Sequence, residues 1–400
     1  MTVRDKVSDS QRYMRMALKM AKRGIGSVEP NPAVGCVIVK ANQIIGRGWH
    51  KKFGEAHAEI NAIEDCKTLG ISPSRAAMYV TLEPCCHQGK TGPCTKAIID
   101  AGLAKVVVAA IDPSQHNNGK GIEQMRNAGI EVTTGICETE AKLLNAPFIK
   151  FASTGRCWVI LKWAQSIDGK LAYDSSTAIL AVPRWISNEL SRKNAQNLRR
   201  RAGAILVGIN TVLADDPLLT VRPASPAKRG EPSRAEKPLR IVLDSSLRIP
   251  LNCKLLRTAK KSPVLIFSSQ QAVQANPQVV ERIVKKSAEV LACPDTQGRS
   301  NLYFLLDELS RRGIAQLLVE GGPTVLASFL KERLADEINV YISPKALGAR
   351  GSAGIAESLA QLTDIVNFRC IDTRRFGDDI CLTGLTEKAL KEISIVLQPS

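Results

Sequence analysis

Aromatic side chains make up only 4% of this 400-residue chain, and histidine is rarer still. All four histidines (His50, His57, His87, His116) fall within the first 120 residues, so imidazole chemistry is confined to the N-terminal part. No run of 18 apolar residues occurs and Met1–Arg15 has no apolar signal core, so neither a membrane span nor a cleaved leader is expected. The eleven cysteines are scattered and odd in number, which fits reduced thiols and a cytoplasmic setting better than a disulfide framework. With so few aromatics, stacking platforms for single-stranded nucleic acid are sparse.

Charge is the surplus. The formal net charge is +17, densest between Arg192 and Arg201. A basic surface draws polyanions, but this cluster lies on a predicted helix without interleaved aromatics. It reads as a solvated face offering one or two phosphate contacts. The expected partner is therefore a phosphorylated small molecule, not nucleic acid and not a membrane. Four hundred residues also exceed what one core usually organises, so two domains are expected, 1–152 and 153–400.

The chemistry-bearing pattern is His57-Ala58-Glu59, followed some 25 residues later by Pro84-Cys85-Cys86-His87-Gln88-Gly89-Lys90-Thr91-Gly92-Pro93-Cys94. One imidazole and two thiolates can hold Zn²⁺ and leave a fourth position for water. Glu59, two residues from the histidine, can shuttle that water's protons. This is the layout of zinc-dependent nucleobase deaminases. Eight residues separate Cys85 from Cys94 rather than two, and Cys86 competes with Cys85 as the ligand. A structural zinc site is the alternative, although it would want a fourth protein ligand and leave Glu59 without use.

Periodicity supplies the scaffold. A helix is expected over Ser10–Arg23, strands over Gly35–Val39 and Gln43–Gly48, and a helix over Ala56–Asp65 carrying both His57 and Glu59. A strand at Met78–Thr81 leads into the cysteine loop, a helix begins near Cys94, and Lys105–Ala110 is a buried strand. In the second half, strands are expected at Trp158–Trp163, Ala204–Val207, Arg240–Asp244, Val264–Ser268, Glu289–Leu291 and Gln316–Glu320. A helix spans Asn188–Arg201, and Pro223–Pro238 is an exposed loop. Helices alternating with strands imply α/β architecture in both halves.

Three stretches of the second half carry further signals. Lys162-Trp163-Ala164-Gln165-Ser166-Ile167-Asp168-Gly169 sets polar groups at a strand end, a usual site position in open sheets. Thr211-Val212-Leu213-Ala214-Asp215-Asp216-Pro217-Leu218-Leu219-Thr220-Val221-Arg222 follows the Ala204–Val207 strand. Glu320-Gly321-Gly322-Pro323-Thr324 is a strand, a double glycine and a helix start, whose free N–H groups suit a pyrophosphate. Glu320 would face substrate at the strand end, and Arg222 with Arg199 makes a sensible phosphate clamp.

These stretches together resemble the bifunctional riboflavin-biosynthesis deaminase/reductase family. The cysteine loop is similar to its Pro-Cys-Ser-His-x-Gly-(Lys/Arg)-Thr-Pro-Pro-Cys pattern. Pro30-Asn31-Pro32-Ala33-Val34-Gly35 and Gly46-Arg47-Gly48-Trp49-His50 match further motifs, as does the Asp215-Asp216-Pro217 stretch. The resemblance covers nearly the whole chain. It implies an N-terminal cytidine-deaminase-like three-layer α/β/α domain followed by a dihydrofolate-reductase-like α/β domain, Zn²⁺ and NADPH as cofactors, and a homo-oligomer.

The implied reactions are deamination of a phosphoribosylamino-pyrimidine and NADPH-dependent reduction of its ribose to a ribityl chain. By residue, the resemblance implies Glu59 as proton shuttle and His57, Cys85 and Cys94 as metal ligands. It implies Asn31, His50, His87 and Lys90 at the pyrimidine or its phosphate. Ala164, Trp185, Thr211, Asp215, Ser245, Gly322, Pro323, Thr324, Val325, Leu326, Ala327 and Ser328 are implied at the cofactor. Lys162, Asp168, Arg199, Leu219, Arg222 and Glu320 are implied at the reductase substrate. The chain departs from the family at Pro183, where a small hydroxyl residue is expected, in a longer Asp168–Trp185 segment, and at Gln196, where histidine is common. Two alternatives remain on the sequence alone: an active deaminase fused to a decayed reductase, and a nucleic-acid deaminase.

Overall fold

The computed structural model describes residues 8–88, 92–173, 185–222, 238–294, 301–351, 354–360 and 365–394. They divide into two compact units, the first ending at Gly155 and also containing 393–394, the second spanning Arg156–Glu392.

In the first unit the elements run α1 (Asp9–Ala21), β1 (Gly35–Lys40), β2 (Gln43–Trp49), α2 (Ala58–Thr68), β3 (Ala77–Leu82), α3 (Cys94–Asp100), β4 (Lys105–Ala110), α4 (Lys120–Asn127), β5 (Glu131–Thr134), α5 (Glu138–Leu144) and α6 (Ala146–Thr154). The sheet order is β2-β1-β3-β4-β5, with β1 antiparallel to β2 and β3, and β3, β4 and β5 parallel. Side-chain alternation divides two cores. Cys36, Ile38, Met78, Val80, Val106 and Val108 face Ala58, Ala62, Ile63, Ile98 and Met125 of α2, α3 and α4. Val37, Val39, Tyr79 and Val107 face Met14, Ala17 and Leu18 of α1 and Ala141 of α5. The result is a three-layer α/β/α sandwich.

Glycine permits the close approach of α2. A Cβ on Gly48 would lie 2.1 Å from the Ala58 carbonyl oxygen, and one on Gly46 2.5 Å from that of Ala62. The Gly-x-Gly of β2 thus lets the first turn of α2 rest directly on the strand, which fixes where Glu59 sits. Gly35 serves α1 in the same way, with a Cβ only 2.0 Å from the Ala17 oxygen.

The second unit runs β6 (Trp158–Ser166), α7 (Glu189–Arg201), β7 (Ala204–Gly208), α8 (Ile209–Asp215), β8 (Leu239–Leu243), α9 (Lys254–Arg257), β9 (Val264–Ser269), α10 (Gln270–Ala275), α11 (Pro277–Val284), β10 (Glu289–Cys293), α12 (Leu302–Arg311), β11 (Gln316–Gly321), α13 (Pro323–Lys331), β12 (Glu337–Ser343), α14 (Ile355–Leu359), β13 (Phe368–Phe376), β14 (Asp379–Thr386) and α15 (Glu387–Glu392). Its sheet order is β10-β9-β8-β7-β11-β6-β12-β14-β13. Strands β10 through β12 pair in parallel, and β14 and β13 close the edge antiparallel. Leu161, Leu206, Ile241, Phe267, Leu317, Leu326 and Phe329 knit its core.

Two expectations need correction. The helix expected over Ala56–Asp65 begins at Ala58, and His57 is its extended N-cap residue (φ −73°, ψ 170°). The strands expected from the sequence end at Glu320, whereas the sheet continues with β12, β13 and β14, and Ile338, Val340 and Ile342 alternate as a strand should. Most of the expected loop Pro223–Pro238 and Pro183 lie outside the described residues.

Candidate active sites

The strand-to-helix junctions of the first unit build one site. His57 ends the extended segment before α2, Cys85 follows β3, and Cys94 opens α3. His57 Nδ1 lies 3.5 Å from Cys85 Sγ and 3.4 Å from Cys94 Sγ, and the three ligand atoms all lie within 4.8 Å of one another. The Cys94 amide, a free N–H of the first turn of α3, points to Cys85 Sγ at 3.4 Å. The Cys94 thiol and the His57 ring pull the Cys85 thiol down to about 4 against the opposing effect of burial. Hydrogen bonding to Cys85, then burial, push Cys94 up. Cys86 points elsewhere: its Sγ meets Asn117 Oδ1 at 3.3 Å and its amide donates to the same oxygen at 3.1 Å. Cys85 is therefore the thiol in the cluster.

Glu59, on the first turn of α2, is 3% exposed, and its Oε2 is buried without a hydrogen-bond partner. Burial, and then the Cys85 thiolate, raise its carboxyl to about 7. One nitrogen and two sulfurs beside an orphaned carboxylate oxygen fit a three-ligand zinc site with an open position. An all-protein structural site would have no such oxygen to spare.

A cavity of about 360 Å³ opens over this cluster, lined by Asn31, His50, His57, Glu59, Cys85 and His87 among others. His50 is 2% exposed and burial lowers its pKa. Its Nδ1 faces the Ala56 oxygen at 3.2 Å and its Nε2 the Asn31 side-chain amide at 3.4 Å. That pairing fits a neutral ring donating from Nδ1. Lys90 lies outside the described residues. The sequence reading missed Glu83, Asp112, His116 and Asn117, which also line the cavity. Glu83 accepts four backbone N–H groups, from Asp112, Gly119, Gly121 and Ile122, at 2.9–3.3 Å. The Pro-Cys motif directly after Glu83 was the signal available.

The second unit gathers its polar groups at the C-terminal ends of β6 and β11. Arg199 of α7 donates from Nε to Glu320 Oε1 at 2.7 Å, with a second bond to Oε2, and from NH1 to the Thr220 oxygen at 3.0 Å. Burial would raise Glu320, but Arg199 and then Lys162 outweigh it and hold its pKa down. Burial lowers Lys162, and its Nζ sits 5.6 Å from the Tyr341 ring centre. Lys162, Arg199 and Glu320 thus form one cluster. The Leu219–Arg222 segment adjoins it through Thr220 and through the Arg222 amide, which donates to Gln196 Oε1 at 2.9 Å. Leu219 itself is buried, in a left-handed conformation (φ 50°).

Beside this cluster, the Gly322 amide donates to Thr211 Oγ1 at 3.2 Å. Gly321 (φ 154°) and Gly322 (φ 26°) adopt backbone that L side chains rarely take, so the start of α13 lies bare, a cradle suited to a pyrophosphate. Of the cofactor set on α13, Leu326 and Ala327 point into the core, and Ser328 Oγ bonds back to the Thr324 oxygen. The backbone and the exposed Thr324 at the helix start are left to face a ligand there. Trp185 is 50% exposed, with the Arg192 guanidinium 5.4 Å over its ring. Ala164 pairs with Tyr341 in the sheet, Asp215 is exposed at the end of α8, and Ser245 is bonded through its carbonyl to Ser269 Oγ. Asp168 is already engaged by Ser166 Oγ and the amides of Leu347 and Gly348, which hold its pKa near 2.

A metal-ready nucleophile site in one α/β unit and a glycine-lined helix start beside a charged cluster in the other define a deaminase joined to a dinucleotide-dependent reductase. Residues 7–110 match the cytidine and deoxycytidylate deaminase zinc-binding region, and 157–382 match the RibD C-terminal domain. The riboflavin biosynthesis protein RibD of Aquifex aeolicus is 41% identical over 92% of this chain and 96% of its own, and that of Escherichia coli 37% identical over 92% and 97%. The Acinetobacter baumannii RibD structure aligns with TM-score 0.78 at 35% identity, covering 95% of this chain and 99% of that one. A Thermotoga maritima diaminohydroxyphosphoribosylaminopyrimidine deaminase/5-amino-6-(5-phosphoribosylamino)uracil reductase aligns with TM-score 0.77 at 32% identity, over 94% and 99%.

This chain belongs to the bifunctional RibD family. It is a riboflavin-pathway enzyme, a zinc-dependent deaminase fused to an NADPH-dependent reductase of dihydrofolate-reductase-like fold. No helix among the described residues is long and apolar enough to cross a membrane.

Proposed function

We propose that the first unit deaminates 2,5-diamino-6-(5-phosphoribosylamino)pyrimidin-4-one and that the second reduces the ribose of the product to a ribityl chain. The observation that carries this reading is the convergence of His57, Cys85 and Cys94 beside the unpartnered Glu59 Oε2. Zn²⁺ held by these three residues would supply a water acidified to a pKa of about 7. Glu59 would take one proton from the attacking water and give it to the ring nitrogen, then carry the remaining hydroxyl proton to the amino group, which leaves as ammonia as the C2–N bond breaks and the carbonyl forms. Asn31 and His50 hold the ring edge, with His87 toward the phosphate.

In the second unit NADPH supplies the hydride. Thr211 and the amides of Gly322 and Thr324 would hold its pyrophosphate, with Ala164, Trp185, Asp215 and Ser245 along the rest of the cofactor. Glu320 orients the ribose, and Lys162 gives a proton to the ring oxygen as the C1′–O bond opens. Asp168 acts through the Leu347–Gly348 loop that it fixes. Arg199, Leu219 and Arg222 close on the phosphate end. The division of labour follows domains 1–152 and 153–400. The scattered thiols support a cytoplasmic setting and the family resemblance a homo-oligomer, which sedimentation would check.

The test follows ammonia release and NADPH oxidation in one tube with the phosphoribosylamino-pyrimidine. Ammonia followed by stoichiometric NADPH consumption is expected. Ammonia alone would overturn the reductase half, and no ammonia from zinc-loaded enzyme would overturn the deaminase half.

A further inference from the structure

The deaminase cavity has a wall that the zinc chemistry does not use. It is the loop after β4, where Asp112, Ser114, His116 and Asn117 line the same space as His57, Glu59 and Cys85. The loop is docked rather than loose. Asn117 is 1% exposed; its Nδ2 donates to Asp112 Oδ2 at 3.0 Å, and its Oδ1 receives the Cys86 amide at 3.1 Å. The Cys86 thiol bridges both Asn117 Oδ1 and the His116 carbonyl, at 3.3 and 3.5 Å. Cys86 therefore ties this loop to the segment that carries the zinc-facing Cys85.

That tie sets His116 beside His87, with ring centres 5.3 Å apart, both exposed at the cavity wall. The acidic groups nearest to them in the lining are already committed. Glu83 is held by four backbone amides. Asp112 receives the Ser114 amide at 2.9 Å and the Asn117 side chain. These two carboxylates are thus held by N–H donors, while the two imidazoles are exposed. Lys120 opens α4 directly after this loop, its Nζ on the Gln115 oxygen at 2.9 Å. With the pyrimidine ring against Glu59 and its edge held by Asn31 and His50, the wall carrying His87 and His116 is open to its ribosylamino substituent. A phosphate at its end accepts hydrogen bonds from imidazole N–H groups, and bonds to a charged acceptor are the stronger ones.

We propose that His116, held beside His87 by the Cys86–Asn117 tie, is a phosphate-recognising residue of the deaminase site. This rests on the deaminase reading above. It assigns His116 to substrate selection rather than to bond breaking, and it gives Cys86 a positioning task distinct from that of Cys85.

The test compares deamination of the phosphorylated pyrimidine with that of its dephosphorylated ribosylamino counterpart, by full-length zinc-loaded enzyme and His116→Ala. The ratio of the two kcat/KM values is expected to fall about tenfold, through KM for the phosphorylated substrate, consistent with loss of one charge-assisted bond. Inorganic phosphate should also inhibit the variant less well. Asn117→Ala should move the ratio the same way, and His116→Gln, which keeps an N–H donor, should recover part of it. An unchanged ratio in His116→Ala, or equal losses on both substrates, would overturn the proposal. Failure of the unaltered enzyme to deaminate the phosphorylated pyrimidine would instead overturn the deaminase reading. Zinc content and reductase turnover on pre-deaminated substrate verify that each variant is folded.

Discussion

The two active units solve the same problem, holding charge in a dry place, by different routes. The deaminase cluster is assembled from two short stretches, 57–59 and 85–94, at adjacent junctions of one sheet. One oxygen of its carboxylate, Oε2, is left without a partner, ready for a proton. The reductase cluster draws Lys162, Arg199 and Glu320 from elements far apart in sequence, and its carboxylate is fully paired. An unpaired buried carboxyl is shifted upward and can exchange protons near neutral pH. A paired one stays charged and serves orientation. The contrast fits a proton shuttle in one unit and a substrate clamp in the other.

The sharpest break of this comparison is Cys94→Ala. It should abolish zinc binding and ammonia release while NADPH oxidation on pre-deaminated substrate persists; joint loss of both activities would show that the units are not independent. Next is Glu59→Gln, which should retain zinc by metal analysis yet lower deamination by roughly 10²–10⁴-fold. Survival of activity would remove Glu59 from its role.

Glu320→Gln should leave the Arg199 charge buried and unpaired, at a cost of about 3 kcal/mol, seen as a lower unfolding temperature together with lost reduction. The pH dependence has a definite sign. The folded pKa of Glu320 is held below its ordinary value of 4.5, so its stabilisation is present above that value and fades as pH falls through the folded pKa. The gap in unfolding temperature between the unaltered chain and Glu320→Gln should therefore shrink in acid. A gap constant down to strongly acid pH would show that the pair contributes nothing.

Arg240→Met probes the loop under the reductase cluster. The Arg240 guanidinium is buried and donates to the Leu218 oxygen at 3.0 Å, to Thr258 Oγ1 at 2.8 Å and to the Ser262 oxygen. Burial brings its pKa down to about 10. Losing it should leave carbonyls unsatisfied, at roughly 1–3 kcal/mol, and raise the reductase KM several-fold with deamination intact. The smallest effect is expected for Cys86→Ser, which can keep the Asn117 bond. Zinc content and both rates should stay near those of the unaltered enzyme, and loss of metal would mean that the wrong thiol has been assigned to the cluster.

Legibility in the sequence followed distance along the chain. His57, Glu59, Cys85 and Cys94 stand in short, chemically distinctive patterns, and the helix–strand alternation around them marked β1 to β4. Glu83 and Asn117 were not legible, because the backbone amides they accept come from 29–39 residues away. The reductase cluster was readable only through its motif resemblance: nothing local in Lys162 or Arg199 says that Glu320 will stand between them. Leu326 and Ala327 carried the motif too, yet helix geometry turned them into the core.

By itself the sequence determined the donor atoms, the two α/β alternations and the excess of positive charge, since each depends on residue type and local period. Only the tertiary structure decided between Cys85 and Cys86. Successive residues of an extended chain project to opposite sides, so one thiol of the pair joins His57 and the other turns away. Which one does so depends on where the cysteine segment is pinned, and Asn117, from a loop on another strand, pins it.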